Sequence, residues 1–215
     1  MATMPFTISR VAREMREEQL RKVTIGELQA VNGPIRIVDY DPAWPALFEK
    51  EAARITAALG DRVFSIEHVG STAVPGLAAK PRIDILLVVA DTADEPAYVP
   101  ALETAGYVLR IREPEWYEHR VFKGPDTDVN LHCFSIGCPE IQRMLAFRDR
   151  LRSNEEDRLL YERAKLDLAA KTWKYVQEYA DAKTAVVKEI LSRAYSPPRE
   201  EGNAHGPRVS LLHIP

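Results

Sequence analysis

The segment Glu67 to Val89, EHVGSTAVPGLAAKPRIDILLVV, sets a Gly-Ser turn ahead of a carboxylate in an apolar run. Gly70 lets the backbone approach an anion closely. Ser71 and Thr72 offer hydroxyls and N–H donors, and Lys80 adds a positive charge. Asp84 stands among Ile83, Ile85, Leu86, Leu87, Val88 and Val89. That run reads as a buried strand, where an ionised group is costly unless it has partners or work to do. The combination suits handling of a phosphate or triphosphate.

Each part has a plainer alternative. A Gly-Ser pair alone is a common turn. Two carboxylates at i and i+2 of a strand share a face and can hold a divalent cation. Here the i+2 position is Leu86, whereas a two-metal phosphoryl-transfer centre needs several carboxylates to offset its charge. Asn130 and His132 share one face of the segment Asp128 to Ser135 and could supply a replacement. Glu67 and His68, just before the turn, are further candidates. For His132, His68 and Glu67 the competing reading is a hydrogen-bonded structural group. Towards the C-terminus Tyr161 and Lys165, Tyr179 and Lys183, and Arg148 and Arg152 form pairs at i, i+4, each on one helix face. Turned into a cleft, they would form a cationic wall with aromatic stacking, suited to a nucleotide. Turned outward, they are ordinary solvated faces.

The elements that must position these residues follow from periodicity. Ile35 to Tyr40 reads as a strand, and Ala43 to Leu59 as a helix with Trp44, Leu47, Phe48, Ala52, Ile55 and Leu59 on one side. Strands are expected over Val63 to Val69 and Arg82 to Ala90, then a helix over Tyr98 to Ala105 ended by Gly106. Tyr107 to Arg112 and Trp116 to Lys123 read as a strand pair, and Asp128 to Ser135 as a further strand. After Pro139 the pattern turns helical, Ile141 to Leu151 and Glu155 to Tyr195, with a soft break at Lys171-Thr172. Residues 1–34 form an N-terminal extension whose charged stretch Ile8 to Gln29 has Val11, Met15 and Leu20 at helical spacing. That helix would lie on the domain or on a partner, and a homodimer through it is one expectation. The tail 196–215, with Pro197-Pro198, Gly202 and Gly206, is expected to be disordered. The fold class is therefore α+β: a mixed sheet flanked by helices, over 35–195, with a helical C-terminal arm.

Composition bounds the function. The chain has 215 residues, 46% of them hydrophobic, and a net charge of −3, so a sizeable core forms and no global basic field argues for nucleic-acid binding. No apolar run reaches the roughly 18 residues of a membrane span, and no apolar leader is evident. Cys133 and Cys138 have no partners at zinc-site spacing. A reduced, cytoplasmic setting is the expectation.

The block His68 to Pro81, HVGSTAVPGLAAKP, followed by Ile83-Asp84-Ile85, resembles the signature of the GrpB family. That family belongs to the nucleotidyltransferase-fold superfamily and is similar to a domain fused to some bacterial dephospho-CoA kinases. The resemblance extends to Asp39-Tyr40-Asp41-Pro42-Ala43-Trp44-Pro45, to Asn130 to Phe134 and to Leu145 to Arg152, with Tyr161, Lys165, Tyr179 and Lys183 in the helical arm. It implies that Gly70 and Ser71 hold nucleotide phosphates, that Asp84 is the first Mg²⁺ carboxylate, and that His132 lies near the third. Leu86 departs from the pattern at the second.

Three readings follow. In the first, a nucleotidyl group passes from a nucleoside triphosphate to a small acceptor. Asp84, with Glu67 or His132, would hold Mg²⁺, and Lys80, Arg148, Lys165 and Lys183 would neutralise developing charge. In the second, the fold has lost its metal centre and binds a nucleotide or CoA-related phosphorylated ligand. In the third, Asp84 and His132 perform metal-free acid–base chemistry.

Overall fold

The computed structural model describes residues 10–195. The expectations for 1–9 and for the tail 196–215 lie outside the described residues. Among the described residues seven α-helices and five strands run α1 Arg10–Val23, α2 Trp44–Leu59, β1 Ser65–Val69, β2 Ile83–Val89, α3 Val99–Thr104, β3 Val108–Glu113, β4 His119–Lys123, β5 Val129–Ser135, α4 Pro139–Ser153, α5 Glu155–Ala169, α6 Val176–Ala182 and α7 Thr184–Ala194. The strands form one mixed sheet in the order β1-β2-β5-β4-β3. Only β2 and β5 are parallel; the other neighbours pair antiparallel. The class is α+β, as the sequence pattern predicts.

Alternation along the strands assigns the two faces. Ile83, Ile85, Leu87 and Val89 of β2 and Val129, Leu131 and Cys133 of β5 turn to one side. There they pack with Trp44, Ile55 and Leu59 of α2 and Leu102 of α3 in the main core. A buried carboxylate fastens α2: Glu51 accepts hydrogen bonds from Tyr107 Oη at 2.5 Å and from Thr127 Oγ1 at 3.1 Å. On the opposite face Leu86, Val88 and Phe134 pack with Val69 and with Ile141 of α4. Asp84, Asn130 and His132 lie on this second face. Beyond it Leu151, Tyr161 and Ile190 of the helical arm clasp Val74 and Leu77 of the β1–β2 connection.

Two expectations on regular structure need correction. Ile35 to Tyr40 is not a strand. It is an extended segment held by single bridges, Gly33 to Trp173 and Val38 to Ala79, and by the bond from Ile35 N to Ala169 O. Ile35 and Ile37 meet the helical arm beside Ala169 and Tyr179, while Val38 and Tyr40 pack against the main core. The arm after Glu155 is three helices: the soft break expected at Lys171-Thr172 is a full interruption between α5 and α6, and a second break at Lys183 separates α6 from α7. The chain leaves helix after Ala169, and α6 starts where the Glu178 carboxylate accepts from the backbone N–H of Lys174 at 2.8 Å and of Tyr175 at 3.1 Å.

The N-terminal extension lies on its own domain. Thr24 bridges Ile111 of β3, Ile25 N donates to Arg110 O at 2.8 Å, and Arg110 Nη2 donates to Glu27 O at 3.0 Å. Glu17 of α1 forms an ion pair with Lys174.

Candidate functional site

The register of the sheet lines up a polar row on the second face. Lys123 of β4 pairs with Asn130 of β5, which pairs with Asp84 of β2. The three side chains form a hydrogen-bonded chain. Lys123 Nζ donates to Asn130 Oδ1 at 2.5 Å, and Asn130 Nδ2 donates to Asp84 Oδ1 at 2.8 Å. Burial would raise the Asp84 carboxyl, but His132 and Asn130 outweigh it and hold the group below the usual carboxylate range. The Asp84 side chain keeps 28% of its surface exposed, so a ligand can reach it.

The Gly-Ser turn abuts this carboxylate. Gly70 has φ 69° and ψ −169°, a conformation essentially restricted to glycine. A Cβ built there would lie 2.5 Å from Asp84 Oδ2. Gly70 is thus required first by the approach of backbone to Asp84. Ser71 opens a single 3₁₀ turn, Ser71–Ala73, and its half-buried hydroxyl makes no hydrogen bond among the described residues. Thr72 is otherwise occupied. Its hydroxyl donates to Arg82 O at 3.1 Å and lies 3.1 Å from His68 Nε2. With the single hydroxyl proton used on Arg82, His68 must donate through Nε2.

His68 is turned away from Asp84. It pairs across the sheet with Ile85, on the main-core face, and stacks on Phe48 of α2 with centroids 4.9 Å apart. Burial pushes its pKa down to about 4. His68 and Thr72 therefore brace the turn from behind. Glu67, the residue before, is on the Asp84 face but pairs with Leu86. Its carboxylate accepts from Arg148 Nη1 at 2.8 Å, and the same nitrogen donates to His68 O at 3.0 Å. Arg152 donates to Ala73 O at 2.9 Å. The two α4 arginines thus clamp the turn's carbonyls.

The remaining cations divide. Lys80 has no carboxylate at ion-pair distance among the described residues, and burial, then Arg82, lowers its pKa. Lys123, which sequence reading did not single out, is depressed to about 8 by burial and by Arg82 and Lys80. Lys183 lies near enough to lower both Lys80 and Lys165, and its ammonium sits 4.6 Å from the Tyr179 ring centroid. Lys165 and Tyr161 do not open onto this face. Lys165 is 2% exposed and hydrogen-bonds Ala78 O, while Tyr161 packs in the arm's core. Burial depresses Lys165 to about 7. These i, i+4 pairs turn inward because the arm must cover the apolar β1–β2 connection.

His132 adjoins Asp84 with Nε2 3.8 Å from Oδ1, beyond hydrogen-bond length. Its Nδ1 lies 3.1 Å from Nε2 of His119, whose Nδ1 lies 2.7 Å from Glu113 Oε2. Neither His119 nor Glu113 carries a motif signal, because the β3–β4 pairing brings Glu113 to His119 and the β4–β5 register brings His119 to His132.

The Mg²⁺ that the superfamily implies finds few donors. Among the described residues no three His, Cys, Asp or Glu side chains are grouped to hold a metal ion. Asp84 is the lone carboxylate beside Leu86, one of its oxygens is shared with Asn130, and Glu67 is engaged by Arg148. This set does not fit a two-metal centre.

The family described as GrpB protein matches residues 34–193. A UPF0157 protein of Halalkalibacterium halodurans is 61% identical over 178 residues, covering 83% of this chain and 91% of that protein. A dephospho-CoA kinase of Mycolicibacterium paratuberculosis is 28% identical over 193 residues, covering 78% of this chain but only 47% of the kinase. The crystal structure of the conserved protein GrpB from Enterococcus faecalis superposes with a TM-score of 0.66 at 33% identity, over 74% of this chain and 96% of that one. Its agreement extends the sequence match to the mixed sheet and its flanking helices, and the chain belongs to the GrpB family.

Proposed function

We propose that the Asp84 face binds the phosphate groups of a small phosphorylated molecule, a nucleotide or a CoA precursor, through cations and turn donors rather than through a metal centre. The observation that carries this is the hydrogen-bonded row Lys123–Asn130–Asp84, with Lys80 near enough to feel the charge of Asp84 and to lower Lys123, and with Leu86 where a second carboxylate would stand. The free Ser71 hydroxyl adds a donor on the same turn. The similarity to part of proteins named dephospho-CoA kinase supports a CoA-related ligand. No helix among the described residues is long and apolar enough to cross a membrane.

Calorimetric titration with ADP, ATP and dephospho-CoA, each in Mg²⁺ and in chelator, tests this. The expected result is binding of one of them in chelator, weakened at least about tenfold in Lys123→Met, as for loss of a charge-assisted hydrogen bond. Absence of binding by all three would sink the reading.

Nucleotidyl transfer is the second reading, favoured by the placement of Asp84 directly against the Gly70-Ser71 turn. There the triphosphate would supply the oxygens that the protein lacks around Mg²⁺. Binding of ATP that needs Mg²⁺ and disappears in Asp84→Asn would select it over the first.

A further inference from the structure

The Asp84 face continues from its polar row to an exposed tryptophan. Strand alternation puts Lys123, Val121 and His119 of β4 on the same side as Asn130, His132 and Phe134 of β5. His119 stacks on Phe134 with centroids 4.5 Å apart and planes inclined by 11°. Trp116 stands at 86° to His119 and at 75° to Phe134, with centroids at 5.0 and 5.8 Å. These three separations place the indole at the side of the two-ring stack, because a ring on top of His119 would lie much farther from Phe134. One indole face therefore covers the edges of both rings, the edge-to-face arrangement that aromatic quadrupoles favour. The opposite face looks outward, and Trp116 is 41% exposed.

The turn that carries this ring is held at a cost. Tyr117 and Glu118 both have positive φ, 55° and 51°, and His119 N donates to Trp116 O at 3.1 Å. This is a type I′ hairpin turn built without glycine or asparagine, a conformation that costs these residues free energy. Arg120 fastens it. Its Nη2 donates to Glu118 at 3.1 Å and its Nε to Glu95 Oε1 at 2.6 Å, and Glu95 also accepts from Arg112. The outward indole face is thus presented by a fixed turn.

An open path joins this platform to the carboxylate. From Asp84 Oδ1 it is 3.8 Å to His132 Nε2, then 5.3 Å between the His132 and His119 rings, then 5.0 Å to Trp116. The side chains of Asp84 and His132 keep 28% and 22% of their surface exposed. The span is comparable to that between the terminal phosphate and the base of an extended nucleoside diphosphate.

Resting on the reading of the Asp84 face as a phosphate site, we propose that the outward face of Trp116 stacks the base of the ligand. The ligand class is then a nucleotide, with its phosphates at the Lys123–Asn130–Asp84 row, and not a phosphorylated molecule without an aromatic ring.

Calorimetric titration of the full chain, Trp116→Leu and Trp116→Phe with ADP and with pyrophosphate tests the stack. ADP is expected to bind Trp116→Leu at least about fivefold more weakly, as when a base loses its aromatic platform. Trp116→Phe, which keeps a ring, retains most of the affinity, and pyrophosphate binds all three proteins alike. Equal weakening of ADP and pyrophosphate in Trp116→Leu would make Trp116 a structural support only, and an unchanged ADP affinity would exclude the stack; either result overturns the proposal. Should Trp116→Leu fail to fold, tryptophan fluorescence decides. Quenching by ADP but not by pyrophosphate, absent from Trp116→Phe, is expected, and equal responses to the two ligands would overturn the stack. If neither ADP nor pyrophosphate binds, the phosphate reading falls and adenosine tests the platform alone. Quenching by adenosine that Trp116→Phe abolishes would sustain the platform, and no response would overturn it.

Discussion

Replacement of Gly70 by alanine tests how the turn and the carboxylate depend on each other. The backbone at Gly70, with φ 69° and ψ −169°, lies in a region that costs a residue with a side chain on the order of 1–3 kcal/mol. The new methyl would also stand 2.5 Å from Asp84 Oδ2, 3.0 Å from its Cβ and 3.1 Å from its Cγ. Asp84 cannot yield freely, because Asn130 holds its other oxygen at 2.8 Å. Displacing it forfeits a hydrogen bond to a charged group, about 1.5–3 kcal/mol. The single change should therefore destabilise by about 3 kcal/mol or more. In an Asp84→Ala background the carboxylate contacts vanish and only the backbone cost and the Cβ contact remain. The two changes should then be coupled by roughly 1.5 kcal/mol. Urea denaturation of the four proteins of the cycle, with slopes compared to exclude denatured-state effects, measures both quantities. A single-variant cost below about 1 kcal/mol, or equal costs in the two backgrounds, would refute the steric account of Gly70.

Two further outcomes concern pH. His68, depressed to about 4, lies below its unfolded value, so the unfolded chain binds the proton more readily at intermediate pH. Stability is then present near neutrality and falls by about 2 kcal/mol between pH 7 and 5. His68→Phe, which keeps the stacking on Phe48, should flatten that slope, and an unchanged slope would show that His68 is not buried neutral. Lys165, depressed to about 7, acts on the alkaline side by the same sign. Its contribution should make the protein about 2 kcal/mol more stable at pH 9 than at pH 7. Comparison with Lys165→Met by urea midpoints isolates this rise, and equal pH dependence of the two proteins would exclude a buried Lys165.

Asp84 is legible in sequence because a carboxylate inside an otherwise apolar strand has no packing reason to be there. Leu86 is equally legible, since strand alternation puts it on the Asp84 face. The same alternation separates Glu67 from His68, and within β1 only one of them can face Asp84. What remains hidden depends on register between distant segments. Lys123 meets Asn130, and His119 meets His132, only through the β4–β5 register, and Glu113 meets His119 only because the β3–β4 turn closes over Tyr117 and Glu118. Neither is a residue that marks such a turn. Lys165 and Tyr161 mislead for a related reason. Their i, i+4 spacing defines a helix face but not its direction, and the apolar connection through Val74 and Leu77 draws that face inward. Ile35 to Tyr40 has strand composition, yet its side chains divide between the helical arm and the main core, and its backbone bridges the β1–β2 connection only at Ala79.

The contacts of Thr24 to Glu27 along β3 bear on how the protein behaves in a crowded solution. β3 is the outermost strand of the sheet, and an outermost strand presents unpaired peptide groups to any passing extended chain. Thr24 bridges Ile111, and Ile25 caps Arg110 O, so a segment lying before the family's matched region, 34–193, occupies that border. The extension thus doubles as a guard against sheet-to-sheet self-association, tied at its far side by Glu17 to Lys174.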